Sequence, residues 1–271
     1  MGYTVVVITN AKCSAEKRTH IMSNGATLWM AEALPEKFPA ELGKEKDYMK
    51  QEDLLAAAFP DRFYSVNQYA NLDNLEAHYG STGREIFEQT AGSVTHFVMA
   101  ASTGGTIMGV GKYLKERKPG GVEVVLADPE KSHLAGLLEA RDDVGKGAAT
   151  LARVDALVKA HGGVKVEGAG KASLTPIMEA GGRTFGAVDL AVVVSDWAAF
   201  DECRTVAGHG LLVGGSAGLN LVASKEVAAR CASEAPREGG VTIVTLLCDH
   251  GIKYLSKIFS DDWCKTNDPR L

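Results

Sequence analysis

Two glycine-rich turns carry the residues with the clearest chemical capacity, Ser102-Thr103-Gly104-Gly105-Thr106 and Gly214-Gly215-Ser216-Ala217-Gly218. Each follows an apolar run and leads into a helical one. A strand that passes through a short turn straight into a helix leaves unpaired helix N–H groups at the carboxyl edge of the sheet. Open α/β sheets bind ligands there. In the first turn Gly104 and Gly105 let the backbone approach an anion, and the hydroxyls of Ser102, Thr103 and Thr106 add donors. The helix dipole favours negative charge at that point, so the chemistry is phosphate binding. The same two glycines would also serve simply to make a tight turn. The second turn presents a serine hydroxyl, Ser216, which reads either as a ligand group or as the N-cap of a helix starting at Leu219. Two such turns on one sheet converge on one crevice.

Other motif readings fail on spacing. A P-loop needs GxxxxGK followed by Ser or Thr, but Gly170-Lys171 precedes Ala172 and Gly145-Lys146 precedes Gly147. Gly104-Gly105 with Gly109 does not make the GxGxxG dinucleotide fingerprint. Gly214 to Gly218 does match GxSxG, the nucleophile elbow of serine hydrolases. Its acid and histidine would have to be Asp249 and His250, and neighbours at one strand end do not readily relay to a single serine. The seven histidines form no HxxxH or HExxH pattern, and Cys248-Asp249-His250 is not a zinc site.

The chain has 271 residues, enough for one large domain or two smaller ones. Apolar residues make up 45%, charged residues 23%, and the net charge is −5 with both signs dispersed. A nucleic-acid or anionic-membrane binder would need a concentrated basic face, so both partners are excluded. No apolar run is long enough to span a bilayer. Five cysteines without a CxxC pair, and no signal peptide, favour a reduced, cytoplasmic setting.

The elements that must position the turns follow from hydrophobic period. Strands are expected at 3–9, 27–30, 63–66, 94–100, 122–127, 188–194 and 241–247, with loop at 35–43. Helices are expected from the Ser14 cap to Gly25, then at about 48–59, 75–90, 107–117 and 197–206, and from the second turn to about 232. Residues 132–163 read as mostly helical. Strand–helix alternation of this kind means an α/β fold. The change to regular alternation near Gly92 suggests two domains, 1–92 and 93–271.

With these segments in order, the chain resembles the fold-type II pyridoxal-phosphate (PLP) enzymes, specifically the cysteine synthase and cystathionine β-synthase family. Gly2-Tyr3, Ser14-Ala15-Glu16-Lys17 and Gly25-Ala26 are similar to its GY, S-x-E-R/K and Gly-Ala segments. Gln68-Tyr69-Ala70-Asn71, Asn74, His78-Tyr79, Thr82-Gly83 and Glu85-Ile86 are similar to its QYxN to TG-x-EI stretch. Ser102 to Thr106 resembles the GTGGT phosphate loop, Asp128-Pro129 the acidic-Pro strand end, and Glu167 to Gly170 the EG-I/V-G segment. Gly210-Leu211-Leu212 with Gly214 to Gly218 resembles GLL-x-GGS-S/A-G, and Asp249, Gly251 and Tyr254-Leu255-Ser256 resemble the closing DSGxRYLS.

The resemblance implies a tryptophan-synthase-β-like open sheet with helices on both faces. Residues 1–92 would be the remainder of a small, substrate-side domain and 93–271 the large cofactor domain. Ser102, Thr103, Gly104, Gly105 and Thr106 would hold the PLP phosphate. Ser216 would hydrogen-bond the pyridine nitrogen beside Asp249, Gly168 would line the ring's face, and Gln68 would meet the substrate carboxylate. The implied reaction is β-replacement on an activated serine, with sulfide or a thiol adding, in cysteine biosynthesis; cystathionine β-synthase activity is the alternative.

Three departures stand out: Ser102 in place of Gly, His250 in place of the usual Ser, and the start of the chain. The family's Schiff-base lysine and its carboxylate-binding loop precede the Gly-Tyr segment, and Lys12, Lys17 and Lys112 match no lysine motif. The resemblance therefore implies an N-terminally truncated copy without a catalytic lysine. It would be a PLP protein acting on a small amino acid, or a non-catalytic paralogue. Its partner would be a second copy or a full-length homologue.

Overall fold

The computed structural model describes residues 2–34, 44–45, 47–235 and 239–268. The loop expected at 35–43 lies outside them. The chain forms two compact units, Met1–Asn67 with Ile252–Leu271, and Gln68–Gly251. The division therefore falls at Asn67 and again at Gly251, not at Gly92.

In the smaller unit β1 (Val6–Thr9), α1 (Ala15–Ser23) and β2 (Thr27–Met30) make a strand–helix–strand unit. The strands pair in parallel from Val6 opposite Thr27 to Thr9 opposite Met30. Ser14 caps α1 by accepting from the Lys17 amide, and its hydroxyl donates to the Lys253 carbonyl at 2.6 Å. Glu16 accepts from both the amide and the hydroxyl of Ser256, each at 2.8 Å. The Lys17 ammonium lies 4.3 Å from the centre of the Tyr254 ring. The Ser14-to-Lys17 and Tyr254-to-Ser256 segments thus clamp each other across the sequence. α2 (Tyr48–Ala58) is anchored by the buried Gln51, whose amide donates to the Ala31 carbonyl at 2.8 Å. The strand expected at 63–66 does not form. Phe63 packs its ring against Trp29 and Phe59, with centroids 6.2 and 6.3 Å away, while Tyr64 and Val66 are exposed. An alternating pattern without a neighbouring strand to pair with gives no ladder. A short helix, α10 (Asp261–Asn267), is capped by Ser260.

The larger unit is built on four parallel strands in the order β5-β4-β3-β6: β3 (His96–Ala100), β4 (Glu123–Pro129), β5 (Leu190–Val194) and β6 (Ile243–Thr245). β3 is buried along its whole length and β4 nearly so, as expected of parallel strands covered on both faces. The helix expected at 75–90 is a composite of α3 (Asp73–Ala77), a π-helical turn (His78–Gly83) and α4 (Arg84–Gln89). It packs on α5 (Gly105–Arg117) at Gly109, where a β-carbon would lie 2.4 Å from the Leu75 carbonyl oxygen. Leu75 and Ile86 enter the same core as β3 and α5, which is why this stretch belongs to the larger unit. α6 (Leu134–Asp142), α7 (Val144–His161), α8 (Asp196–Gly208) and α9 (Gly215–Ser233) complete it. α9 begins at Gly215 with Gly214 as its cap, so Ser216 sits inside the first turn and is not the N-cap of a helix starting at Leu219. Among the described residues no helix is long and apolar enough to cross a membrane.

Candidate functional site

The first glycine turn leaves the carboxyl end of β3 and opens α5, a helix of 13 residues. Gly104 has φ +91°, a conformation L side chains rarely adopt, and a β-carbon there would lie 2.7 Å from Met178 Cγ. At Gly105 it would lie 1.9 Å from Asn74 Oδ1. Met108 donates to the Gly104 carbonyl and closes the first helical turn. Within the described residues the amides of Gly104, Thr106 and Ile107 make no hydrogen bond. Three bare N–H groups at a helix N-terminus leave donors that an anion could take.

The hydroxyls of the turn are held by residues whose role the sequence did not disclose. Thr103 Oγ1 accepts from Asn74 Nδ2 at 3.2 Å and from the Gly105 amide at 3.3 Å, so its own proton remains to be donated. The Thr103 carbonyl accepts from Thr175 Oγ1 at 2.6 Å. Thr106 Oγ1 lies 3.1 Å from His78 Nε2, and His78 Nδ1 lies 3.0 Å from Thr82 Oγ1. Burial holds the His78 imidazole below its usual pKa, favouring the neutral ring. Asn74, His78 and Thr82 come from the α3–π-turn segment, and single-turn π insertions recur at functional sites. Asn74 Nδ2 also donates to the Gln68 carbonyl at 2.9 Å, tying Gln68 to the turn through its backbone while Gln68 itself is exposed.

The second turn reaches the same sheet edge through Asn220. This fully buried side chain accepts from the Ala100 amide at 2.7 Å and donates to the Leu246 carbonyl at 2.9 Å. Ser216 lies one helical turn earlier on the same face of α9 and is 7% exposed. Its hydroxyl meets the Cys248 thiol, whose pKa burial pushes up against the opposing hydrogen bonds from Ser216 and Asn220. The turn is braced from behind. The Gly214 amide donates to the Asp249 carbonyl at 3.0 Å, and Val213 and His250 form an antiparallel bridge.

The segment around Gly168 joins the first turn directly. The Gly170 amide donates to the Ala101 carbonyl at 2.8 Å, next to Ser102. Asp196 fixes the approach, accepting from the amides of Lys165 and Val166 and pairing with the buried Lys131 at 3.2 Å. Gly168 has φ +85°, and a β-carbon on it would meet nothing within 4 Å. At the end of β4, Asp128 is fully buried. Its Oδ2 accepts from the Ala135 amide at 2.8 Å, whereas Oδ1 has no hydrogen-bond partner among the described residues. Burial raises its pKa to about 7, against the hydrogen bonds from Ser132 and Ala135 and the charge of His133. No group of three or more His, Cys, Asp or Glu among the described residues is placed to hold a metal.

The structure thus gathers Ser102 to Thr106, Gly168, Ser216 and Asp249 at the carboxyl edge of one parallel sheet, with Asn74, His78, Thr175 and Asn220 as their supports. The family model for pyridoxal-phosphate-dependent enzymes matches residues 1–249. Cysteine synthase 1 of Neurospora crassa is 35% identical over 199 residues, covering 73% of this chain and 47% of that protein. The cysteine synthase of Dictyostelium discoideum is 35% identical over 213 residues, covering 75% of this chain and 50% of the other. Among solved structures, O-acetylserine sulfhydrylase isoform 3 of Entamoeba histolytica superposes with a TM-score of 0.69 at 27% identity, over 94% of this chain and 64% of that one. O-ureido-L-serine synthase superposes with 0.68 at 25% identity, over 98% and 73%. The chain belongs to the pyridoxal-phosphate-dependent enzymes of fold type II, the group that contains the cysteine synthases. It spans about half the length of the curated relatives it matches.

The residues present fit the family's cofactor. Bare amides at Gly104, Thr106 and Ile107 suit the phosphate, the Ser216 hydroxyl suits the pyridine nitrogen, and Gly168 leaves open space for a flat ring.

Proposed function

We propose that this chain carries the cofactor cradle of a cysteine-synthase-like β-replacement enzyme, with the larger unit as the PLP-binding domain. The observation that carries the reading is the set of unbonded amides at Gly104, Thr106 and Ile107, opening α5 beside hydroxyls already oriented by Asn74 and His78. When bound, PLP supplies the electron sink that lets a β-substituent leave an amino acid. The chain's own residues bind and orient. Thr103 and the three amides donate to phosphate oxygens, and Ser216 offers a neutral hydroxyl to the ring nitrogen. A hydroxyl there, rather than a carboxylate, leaves the ring less electron-withdrawing, which suits β-replacement. Gln68 meets the carboxylate of a serine activated at its β-carbon, and sulfide or a thiol is the acceptor.

A second element of the proposal concerns covalency. No lysine among the 271 residues matches the family's lysine motif, so these residues hold PLP reversibly. Titration of the purified chain with PLP, followed by absorbance and protein fluorescence, tests both elements. The expected result is saturable binding that pyridoxal without phosphate does not reproduce, and a chromophore that borohydride leaves removable by dialysis. Equal binding of pyridoxal and PLP would overturn the cradle. Borohydride fixation at one lysine would overturn the reversible mode and make these residues catalytically self-sufficient. Reversible binding without turnover of O-acetylserine and sulfide would favour a non-catalytic paralogue.

A further inference from the structure

Two segments flank the first glycine turn, and they meet at Lys171 and Tyr69. The Lys171 ammonium lies 4.0 Å from the centre of the Tyr69 ring, and both side chains are half-buried. Their contact closes a circuit that starts and ends at the turn. On one side Asn74 Nδ2 donates to Thr103 Oγ1 at 3.2 Å and to the Gln68 carbonyl at 2.9 Å, and Tyr69 follows Gln68 in the chain. On the other side the Gly170 amide donates to the Ala101 carbonyl at 2.8 Å, and Lys171 follows Gly170. Every member belongs to the larger unit.

Lysine 171 is the cation of this circuit, and its position is fixed from behind. The Lys171 amide donates to the Oγ of the buried Ser132 at 3.1 Å, and its carbonyl accepts from the His133 amide at 2.9 Å. The side chain therefore leaves a pinned backbone, and the Tyr69 face sets where its ammonium comes to rest. A cation–π seat orients an ammonium but leaves its charge intact. Half-burial lowers the local dielectric, so that charge acts on an anion more strongly than the charge of a fully solvated lysine does. Gln68, next to Tyr69, is exposed. With the turn's donors given to the cofactor phosphate and Gln68 to the substrate carboxylate, Lys171 is the group of the circuit left to meet the substrate's β-substituent.

We propose that Lys171 is a specificity-determining residue that selects a serine whose β-oxygen carries an anionic group, of the phosphate-ester class, over one activated by a neutral acyl group. The inference rests on the reading of the larger unit as a PLP cradle with Gln68 at the substrate carboxylate. A phosphate ester brings a second negative charge to the β-carbon end of the substrate, where the ammonium attracts it. An acetyl group brings none, and its carbonyl oxygen is at best a neutral acceptor. Hydrogen bonds to a charged partner are roughly twice as strong as neutral ones, which gives the preference its sign.

The test is calorimetric titration of the whole chain, held in excess 4′-deoxypyridoxine 5′-phosphate, with O-phospho-L-serine and with O-acetyl-L-serine. The analogue fills the cradle but has no aldehyde to react with an amine, and its excess keeps the substrate's phosphate out of the glycine turn. The expected result is O-phosphoserine bound about tenfold or more tightly than O-acetylserine, with the preference shrinking as salt is added. Lys171→Gln should bring the two affinities within about twofold by weakening O-phosphoserine alone, and Lys171→Arg should keep the preference. Should Lys171→Gln fail to fold by circular dichroism, Tyr69→Leu, which removes the seat and keeps the lysine, should reduce the preference in its place. Equal affinities in the parent chain, or a preference unchanged in the folded variant, would overturn the role of Lys171 and leave the cradle standing. Failure of the analogue itself to bind would overturn the cradle and this inference together.

Discussion

The Asn74 side-chain amide holds the Thr103 hydroxyl at 3.2 Å and thereby fixes which way a donor of the first glycine turn points. With both lone pairs of Thr103 Oγ1 engaged, its proton is committed to whatever lies in front of the turn. Asn74→Ala frees the hydroxyl to turn inward. We expect PLP to bind about tenfold more weakly, in line with about 1–1.5 kcal/mol for one hydrogen bond. Pyridoxal binding should change less. Asn74→Asp, which sets a carboxylate beside the anion, should weaken PLP further. Fluorescence titration of the three proteins checks this, and unchanged PLP affinity in Asn74→Ala would remove Thr103 from the cradle.

Asn220 joins three pieces of the larger unit that the sequence keeps far apart. It receives the Ala100 amide at the end of β3, sits on α9, and reaches the Leu246 carbonyl. Asn220→Ala leaves a buried amide and a buried carbonyl without these bonds and opens space at a side chain with no exposure. The expected loss is about 2–4 kcal/mol of unfolding free energy. The urea midpoint at constant m-value measures it. PLP binding should fall as well, because Ala100 lies two residues before the first glycine turn and Ser216 lies on the helix that Asn220 anchors.

Asp128 should make stability depend on pH. Its folded pKa, about 7, lies above the unfolded carboxylate value, so the folded state retains the proton that the unfolded state gives up. The contribution is complete below about pH 4, where both states are protonated, and is lost as pH rises toward and through 7. By linkage the full loss is on the order of 4 kcal/mol. Asp128→Asn keeps an acceptor for the Ala135 amide and removes the titration. The variant should show a flatter stability profile between pH 4 and 8 and exceed the parent at pH 8. Parallel profiles for the two proteins, from urea melts across that range, would show that Asp128 does not titrate there.

The parts of the site that were legible in the sequence are those whose geometry is local. The turn from Ser102 to Thr106 was readable because two glycines between an apolar run and a helical run have few other uses. The Ser14 cap was readable because its bond to the Lys17 amide spans three residues. The supports were not readable as supports. Asn74, Thr175 and Asn220 meet their partners across 29, 72 and 120 residues, and nothing at either end of such a pair specifies the other. Ser216 does open a helix, but Leu211 to Val213 before it form only an isolated bridge rather than a strand, and glycines at 214 and 215 leave the start of α9 undetermined by propensity. The 63–66 strand failed for a related reason: period-2 alternation identifies a half-buried extended segment, and pairing needs a neighbour that the pattern cannot supply.

Gly105 and Gly168 separate two reasons for a glycine at this site. At Gly105 a β-carbon would lie 1.9 Å from Asn74 Oδ1, so Gly105→Ala must push Asn74 off Thr103. At Gly168 it would meet nothing, but φ is +85°, so Gly168→Ala pays only backbone strain of about 1–2 kcal/mol. We expect Gly105→Ala to lose PLP binding beyond its effect on stability, and Gly168→Ala to lose stability chiefly. If displacement of Asn74 is the cause, Gly105→Ala and Asn74→Ala combined should bind PLP no worse than Gly105→Ala alone. Fully additive losses in that double-mutant cycle would mean that the two residues act on the anion independently. A coupling of about 1 kcal/mol or more would place the steric contact between them at the centre of the turn's design.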